Sequence, residues 1–173
     1  MGVSGFAPPG EPRAVAPGTV PMASLASWFR DALTGPANVG QPSVVWSDRG
    51  SQILLHVGRL QARTAGQMLV VAVDTESNEF GVAPLIVRFV LGDTGDASAL
   101  VAATDVDVLG DPGVSARWGR LFRDVVWAAL VRLAETKAGD AGTHPAGVAV
   151  STEALHFALG PETSAGTTGG EPA

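Results

Sequence analysis

The amino-acid sequence predicts an α+β protein with a mostly antiparallel sheet of about five or six strands and two packed helices. Several short apolar or alternating stretches, joined by brief turns, occupy the middle of the chain. Parallel strands would need long crossover connections, so these turns favour antiparallel neighbours. One helical pattern precedes this region and a longer one follows it. The expected order of elements is therefore α-β-β-β-β-β-α-β.

The chain length and the composition of its ends predict one domain between two tails. A chain of 173 residues has the usual length of a single domain. Residues 1–20 and 160–173 are rich in proline, glycine and small residues, and bury too little apolar surface to offset the entropy of ordering. We therefore expect disordered tails around a single domain at residues 21–159. Cysteine is absent, which excludes thiolate catalysis and thiolate zinc sites.

The first helix is predicted over residues 22–33. Pro21 suits a first helical position, and the pair Gly35-Pro36 is a stop signal. Trp28 lies beside an apolar stripe at helical spacing. The stripe consists of Met22, Leu25, Phe29, Ala32 and Leu33.

The strands are predicted from β-rich runs bounded by turn signals. Residues 85–91 form the clearest one, because large apolar side chains alternate along it. Gly92-Asp93-Thr94-Gly95 is the predicted turn that follows it. The five predicted strands of this region are residues 43–47, 52–63, 68–73, 85–91 and 99–108.

The second helix has the strongest pattern in the chain. Two starts are open from the sequence: Asp111 suits the N-cap with Pro112 in the first turn, or the helix begins at Ser115. The helix is predicted to run to about Lys137 before Gly139 ends it. A final strand is predicted at residues 148–159. On a helical wheel at about 100° per residue, one broad sector forms the expected core face. It contains Trp118, Leu121, Phe122, Val125, Val126, Ala129 and Leu133.

The opposite side of this helix is also apolar. From residue 125 to 131 the helix is apolar nearly all round, which is typical of a helix covered on both sides. One interpretation is that the first helix, or the loop at residues 138–146, covers Trp127. The other is a subunit or partner interface, since Trp and Arg are enriched at interface hot spots. Its residues would be Trp127 as anchor, Leu130, and Arg120 and Arg123 at the rim.

Charge and hydropathy argue against two classes of partner. The formal net charge is −6, whereas a nucleic-acid-binding surface needs a basic footprint. The arginines of the second helix, at positions 117, 120, 123 and 132, point in several directions on the wheel. No signal-peptide pattern is present, and no apolar run reaches the ~18 residues of a membrane span. We expect a cytoplasmic protein with neither nucleic-acid nor membrane partners.

Acidic side chains form candidate sites, but solvated strand, cap and turn positions explain them without a bound ion or catalysis. Asp105 and Asp107 lie two apart on a predicted strand, so they share a face, and Asp111 follows. Three carboxylates can bind a hard cation, but a solvated strand face followed by a helix cap accounts for them. Carboxylate pairs in two acidic turns could serve as acid and base, but turn chemistry explains them without a further assumption. The turns contain Asp74, Glu76 and Glu79 in one case and Asp93 and Asp96 in the other.

The histidines show no metal-site spacing. His56, His144 and His156 include no pair at helical i, i+4 spacing, and no HExxH motif is present. His56 and His156 could meet across a sheet. We therefore predict neither a metal site nor a catalytic residue.

These observations favour a non-enzymatic protein-interaction or assembly domain without a cofactor, self-associating through the long helix. No nucleophile elbow, P-loop or dinucleotide-binding glycine motif is present. The element order is similar to that of secretion-system chaperones and some phage tail-assembly proteins, although fold order does not determine function. The alternative is a small-molecule-binding or enzymatic domain with a pocket between sheet and helix. Its candidate lining residues are Trp118, Phe89 and His56.

Overall fold

The computed structural model describes residues 18–66, 68–91, 102–143 and 145–160. Within them the α+β prediction is confirmed: two helices accompany two antiparallel sheets. The N-terminal part contains β1 (Thr19–Pro21), α1 (Met22–Thr34), β2 (Val44–Asp48), β3 (Ser51–Leu55), β4 (Gln61–Ala65) and β5 (Met68–Ser77). The C-terminal part contains β6 (Gly81–Leu91), β7 (Ala102–Gly110), α2 (Pro112–Asp140), β8 (Pro145–Val150) and β9 (Ala154–Leu159). Residues 1–17, 161–173, the turn at 92–95 and His144 lie outside the described residues.

The larger sheet has the strand order β2-β3-β5-β6-β7, with β4 also paired to β5. Its centre is the β5–β6 hairpin, which pairs from Met68 with Val90 to Ser77 with Gly81. Alternate side chains of these two strands are buried beneath the helices, because successive residues of a strand point to opposite faces. The buried set includes Leu69, Val71, Val73, Leu85, Val87 and Phe89.

The strand predicted at residues 52–63 is interrupted. β3 ends at Leu55, the 3-10 turn Val57–Arg59 follows, and β4 starts at Gln61. Both strands pair with β5, at opposite ends of it. Val57 and Leu60 explain the break, since both are buried. Residues three apart in a continuous strand face opposite sides of the sheet, and the turn directs both into the core.

The last predicted strand, residues 148–159, is a hairpin. β8 and β9 are antiparallel, and with β1 they form a separate sheet in the order β1-β9-β8. β1 includes Thr19 and Val20, which the sequence assigns to the N-terminal tail. Val20 is only 4% exposed, and it pairs with Leu155. Apolar burial and backbone pairing together offset the entropy of ordering this segment.

The two helices pack side by side and antiparallel. The Trp28 indole nitrogen donates to the Ala129 carbonyl at 2.7 Å, whereas the end of α1 lies near Leu121, further back along α2. Of the two starts predicted for α2, the one capped by Asp111 is confirmed. A carboxylate oxygen of Asp111 accepts hydrogen bonds from the first-turn amides at 2.9 and 3.2 Å. In the described part of the chain, neither helix combines the length and the apolar character of a bilayer span.

Candidate functional site

The buried side of α2 differs from the predicted one. Trp118, Phe122, Val126, Ala129 and Leu133 are buried as expected. Two residues of the same predicted sector are not: Leu121 is 40% exposed and Val125 is partly exposed. Leu130, predicted for the opposite side, is fully buried, and so is Ala134. The buried sector is therefore rotated by about 60° on the helical wheel.

The unequal length of the two helices explains why Leu121 is exposed. α1 has 13 residues and α2 has 29. Because the helices are antiparallel and Trp28 contacts Ala129, the N-terminal turns of α2 extend beyond the end of α1. The sheet covers one side of those turns, and the side that α1 would cover faces solvent. Leu121 lies on that uncovered side.

The predicted partner surface on α2 is not one continuous exposed surface. Leu130 is 0% exposed, so it belongs to the core of the single chain. Trp127 is partly buried, and its ring centroid lies 5.6 Å from that of Phe89 on β6. The sheet therefore contributes to the cover of Trp127. Arg120 is exposed, and Arg123 forms an ion pair with Asp124 at 2.7 Å.

A groove of about 430 Å³ lies where α1 ends, between α1, β2 and α2. We call it the β2 groove. None of its lining residues is charged. They include Ala32, Val44, Val45, Trp46, Leu121 and Val125. The sequence does not reveal this groove, because its walls come from three elements that are far apart in the chain.

A second groove of about 240 Å³ continues along the seam between α1 and α2. We call it the seam groove. It shares Ala32 with the β2 groove and is lined further by Trp28, Val39 and Arg132, among others. Four large hydrophobic side chains are exposed among the described residues. Three of these four, Val39, Val45 and Leu121, line the two grooves.

Hydrogen bonds hold in place two tryptophan side chains that line the grooves: Trp46 in the β2 groove and Trp28 in the seam groove. The Trp46 indole nitrogen donates to the Leu33 carbonyl at 3.1 Å, as the Trp28 indole nitrogen does to Ala129. Buried or half-buried indoles usually find such a partner for their polar end. Both rings are thereby held in place, and the rest of each ring remains available for apolar contact.

The β2 groove borders an edge of the larger sheet. β2 stands at the end of the larger sheet and pairs, within the described residues, with β3 alone. One end of the strand is fixed by Arg117, which donates to the Asp48 carboxylate at 2.8 Å and also to its carbonyl. The Arg117 guanidinium lies 4.6 Å from the centre of the Trp118 ring. Natural edge strands commonly carry charges that discourage pairing, whereas Val45 on this edge is 55% exposed.

The two described histidines lie in different environments. His56 Nε2 is 3.6 Å from a carboxylate oxygen of Glu76. His156, in the smaller sheet, lies 3.0 Å from both the Thr19 and the Ser151 hydroxyls. Ser151 Oγ also donates to the Ala154 carbonyl at 3.2 Å. This chain of hydrogen bonds occupies the serine hydroxyl and connects β1 to the β8–β9 hairpin.

The candidate acidic sites do not assemble into a metal centre in the described part of the chain. Asp111 uses its carboxylate to cap α2, and Asp74, Glu76 and Glu79 are exposed. The described residues contain no group of three potential metal-ligating side chains. The side chains of Asp105 and Asp107 on β7, and all of Asp93 and Asp96, lie outside the described part.

Two of the three residues predicted to line a small-molecule pocket are fully packed. Trp118 and Phe89 are 1% and 0% exposed and belong to the packed core, whereas His56 lies beside Glu76.

Comparison of the chain with protein-family models, curated proteins and solved structures finds no match.

Proposed function

We propose that this chain is a non-enzymatic interaction domain that self-associates through the β2 groove and the adjoining edge of β2. One observation carries the proposal: three of the four large hydrophobic side chains exposed among the described residues line the β2 and seam grooves. Scattered exposed hydrophobic residues are ordinary, but contiguous apolar patches commonly mark interaction sites.

A second copy of the chain is the occupant that this surface favours. Two antiparallel edge strands can pair across a twofold axis, because each offers the other the same row of backbone groups. Two β2 strands paired in this way would continue the larger sheet from one copy into the other. The proposed contact thus differs from the sequence hypothesis: Leu121 and Val45 take the place of Trp127 and Leu130.

The charge distribution also supports self-association at this position. Each chain carries a formal net charge of −6, so two copies repel one another where their charged surfaces meet. The lining of the β2 groove contains no charged residue. Contact there brings together apolar surface without placing like charges opposite one another.

Sedimentation equilibrium over a wide range of protein concentration tests this proposal. We expect a concentration-dependent dimer that is weakened at least tenfold by Leu121→Glu or Val45→Glu. Val82→Glu is the matched control, since Val82 is also exposed, at 76%, but does not line either groove. A monomer at every concentration, or equal effects of Val82→Glu and Leu121→Glu, would contradict the proposal.

A further inference from the structure

We infer that the N-terminal segment, residues 1–17, docks in the β2 groove of its own chain through Phe6 and thereby opposes self-association. This inference rests on the proposed function, since it names a regulator of the same site. The segment joins the described structure at Gly18, directly before β1. Three features support it: the length of the segment, its apolar composition, and the lack of charge in its first ten side chains and in the lining of the β2 groove.

The segment is long enough to reach the β2 groove. α1 leads from the neighbourhood of β1 to the β2 groove, and its 13 residues span about 20 Å at 1.5 Å per residue. The chain from Phe6 to Gly18 can extend to about 40 Å at about 3.3 Å per residue. The segment can therefore run back along the seam between α1 and α2 and place Phe6 beyond the end of α1.

The composition of the segment matches the β2 groove. Phe6 is its one aromatic residue, and Val3, Ala7 and Pro8 provide further apolar surface around it. The C-terminal residues 161–173 contain no aromatic residue and no valine, leucine or isoleucine. Of the two terminal segments outside the described residues, only the N-terminal one offers a large side chain to fill an apolar groove.

Charge does not oppose this docking. The side chains of residues 1–10 carry no charge, and the first charged side chain is that of Glu11. The lining of the β2 groove is likewise uncharged. Along the path from Gly18 the segment would pass the seam groove, whose lining holds one cation and one carboxylate, Arg132 and Asp31. Arg132 can pair with Glu11, and Asp31 can pair with Arg13.

Paramagnetic broadening in NMR spectra tests the docking directly. The chain contains no cysteine, so Ser4→Cys provides a single site for a nitroxide label in the full-length protein. We expect the label to broaden the amide signals of Val45 and Leu121 strongly and that of Val82 weakly. Adding Phe6→Asp should remove the difference, whereas Ala14→Asp, which introduces the same charge, should preserve it. A label at Ser164→Cys serves as the control for the other terminus.

Three outcomes would overturn the inference. The first is equal broadening at Val45 and Val82, and the second is broadening that Phe6→Asp leaves unchanged. The third concerns the intramolecular form. When labelled protein is mixed with ¹⁵N-enriched unlabelled protein, broadening at Val45 in the unlabelled copies would show that the segment binds another chain.

Self-association provides the functional readout. If the segment competes with a second copy, Phe6→Asp should strengthen dimerisation several-fold, and Ala14→Asp should not. Unchanged dimerisation in Phe6→Asp would overturn the regulatory role. If no docking is observed but Leu121→Glu still abolishes the dimer, the inference fails while the proposed function stands.

Discussion

The orientation of α2 can be tested by comparing two leucines on the same helix, Leu130 and Leu121. Leu130 is fully buried, and Leu121 is 40% exposed. Leu→Ala in a packed core lowers the free energy of unfolding by roughly 2–5 kcal/mol, because apolar contacts are lost and a cavity remains. At Leu121 the side chain is only partly covered and borders an open groove. Complete burial of a leucine contributes about 1.5–3 kcal/mol, so Leu121→Ala should cost about 1 kcal/mol.

The assay for this comparison is urea denaturation, followed by circular dichroism and by tryptophan fluorescence. Both substitutions replace leucine by alanine within one helix, so the change in helix propensity is nearly the same and cancels in the comparison. Leu130→Ala should shift the unfolding midpoint strongly with an unchanged slope, and Leu121→Ala should shift it slightly. Equal losses, or a larger loss at Leu121, would refute the orientation of α2 and with it the β2 groove.

Three further predictions concern the ends of the helices and the smaller sheet, and a fourth concerns the contact between the helices. Asp111→Ala removes the N-cap of α2 and should lower the free energy of unfolding by about 1 kcal/mol in urea; Asp111→Asn, which keeps an acceptor, should lose less. Gly18→Ala would place a Cβ against the Phe157 carbonyl, so amide hydrogen exchange at Phe157 should accelerate. A Cβ at Gly139 meets nothing within 4 Å, so Gly139→Ala should instead stabilise the protein by about 0.5–1 kcal/mol. A destabilised variant would contradict this prediction. Trp28→Phe removes the indole donor to α2 and should cost about 1 kcal/mol in the same urea assay; no loss would contradict that bond.

Features of the fold that depend on local chemistry could be predicted from the sequence. The Asp111 cap follows from one carboxylate before a proline and is present in the structure. The start and end of α1 lie within one residue of their predicted positions, because Pro21 and Gly35 act on their immediate neighbours. The alternating strand at residues 85–91 lies within β6 for the same reason. In each case the interactions that decide the structure lie within a few residues along the chain.

Features that depend on distant contacts could not be predicted in this way. Val57 and Leu60 fit a continuous strand by local pattern, and only the core that buries both of them requires the break. The sequence around Thr19 is typical of a tail. Its hydrogen-bond partner, His156, is 137 residues away, so no local pattern reveals the contact. The hairpin of β8 and β9 has a turn of ordinary polar residues, Thr152 and Glu153, without the glycine or asparagine that marks many hairpin turns.

The exposure of Leu121 in the candidate site shows what a helical wheel can and cannot predict about the buried side of a helix. A wheel ranks the positions of α2 by hydrophobicity and direction, and it therefore places Leu121 in the core with Phe122. It contains no information about where the neighbouring helix ends. That information lies elsewhere in the sequence, since the Gly35-Pro36 stop limits α1 to about half the length of α2.

When a short helix packs antiparallel against a long one, the unmatched turns of the long helix retain an apolar side that its partner does not cover. Applied to this chain, the length difference and the contact between Trp28 and Ala129 together assign the exposed position to the N-terminal half of α2, where Leu121 lies, rather than to Leu130 in the matched half. Helix lengths can be compared from sequence signals alone, because caps and stops mark both ends of each helix. Combined with the contact between Trp28 and Ala129, which gives the register of the two helices, that comparison moves the predicted partner surface from Trp127 and Leu130 toward the β2 groove.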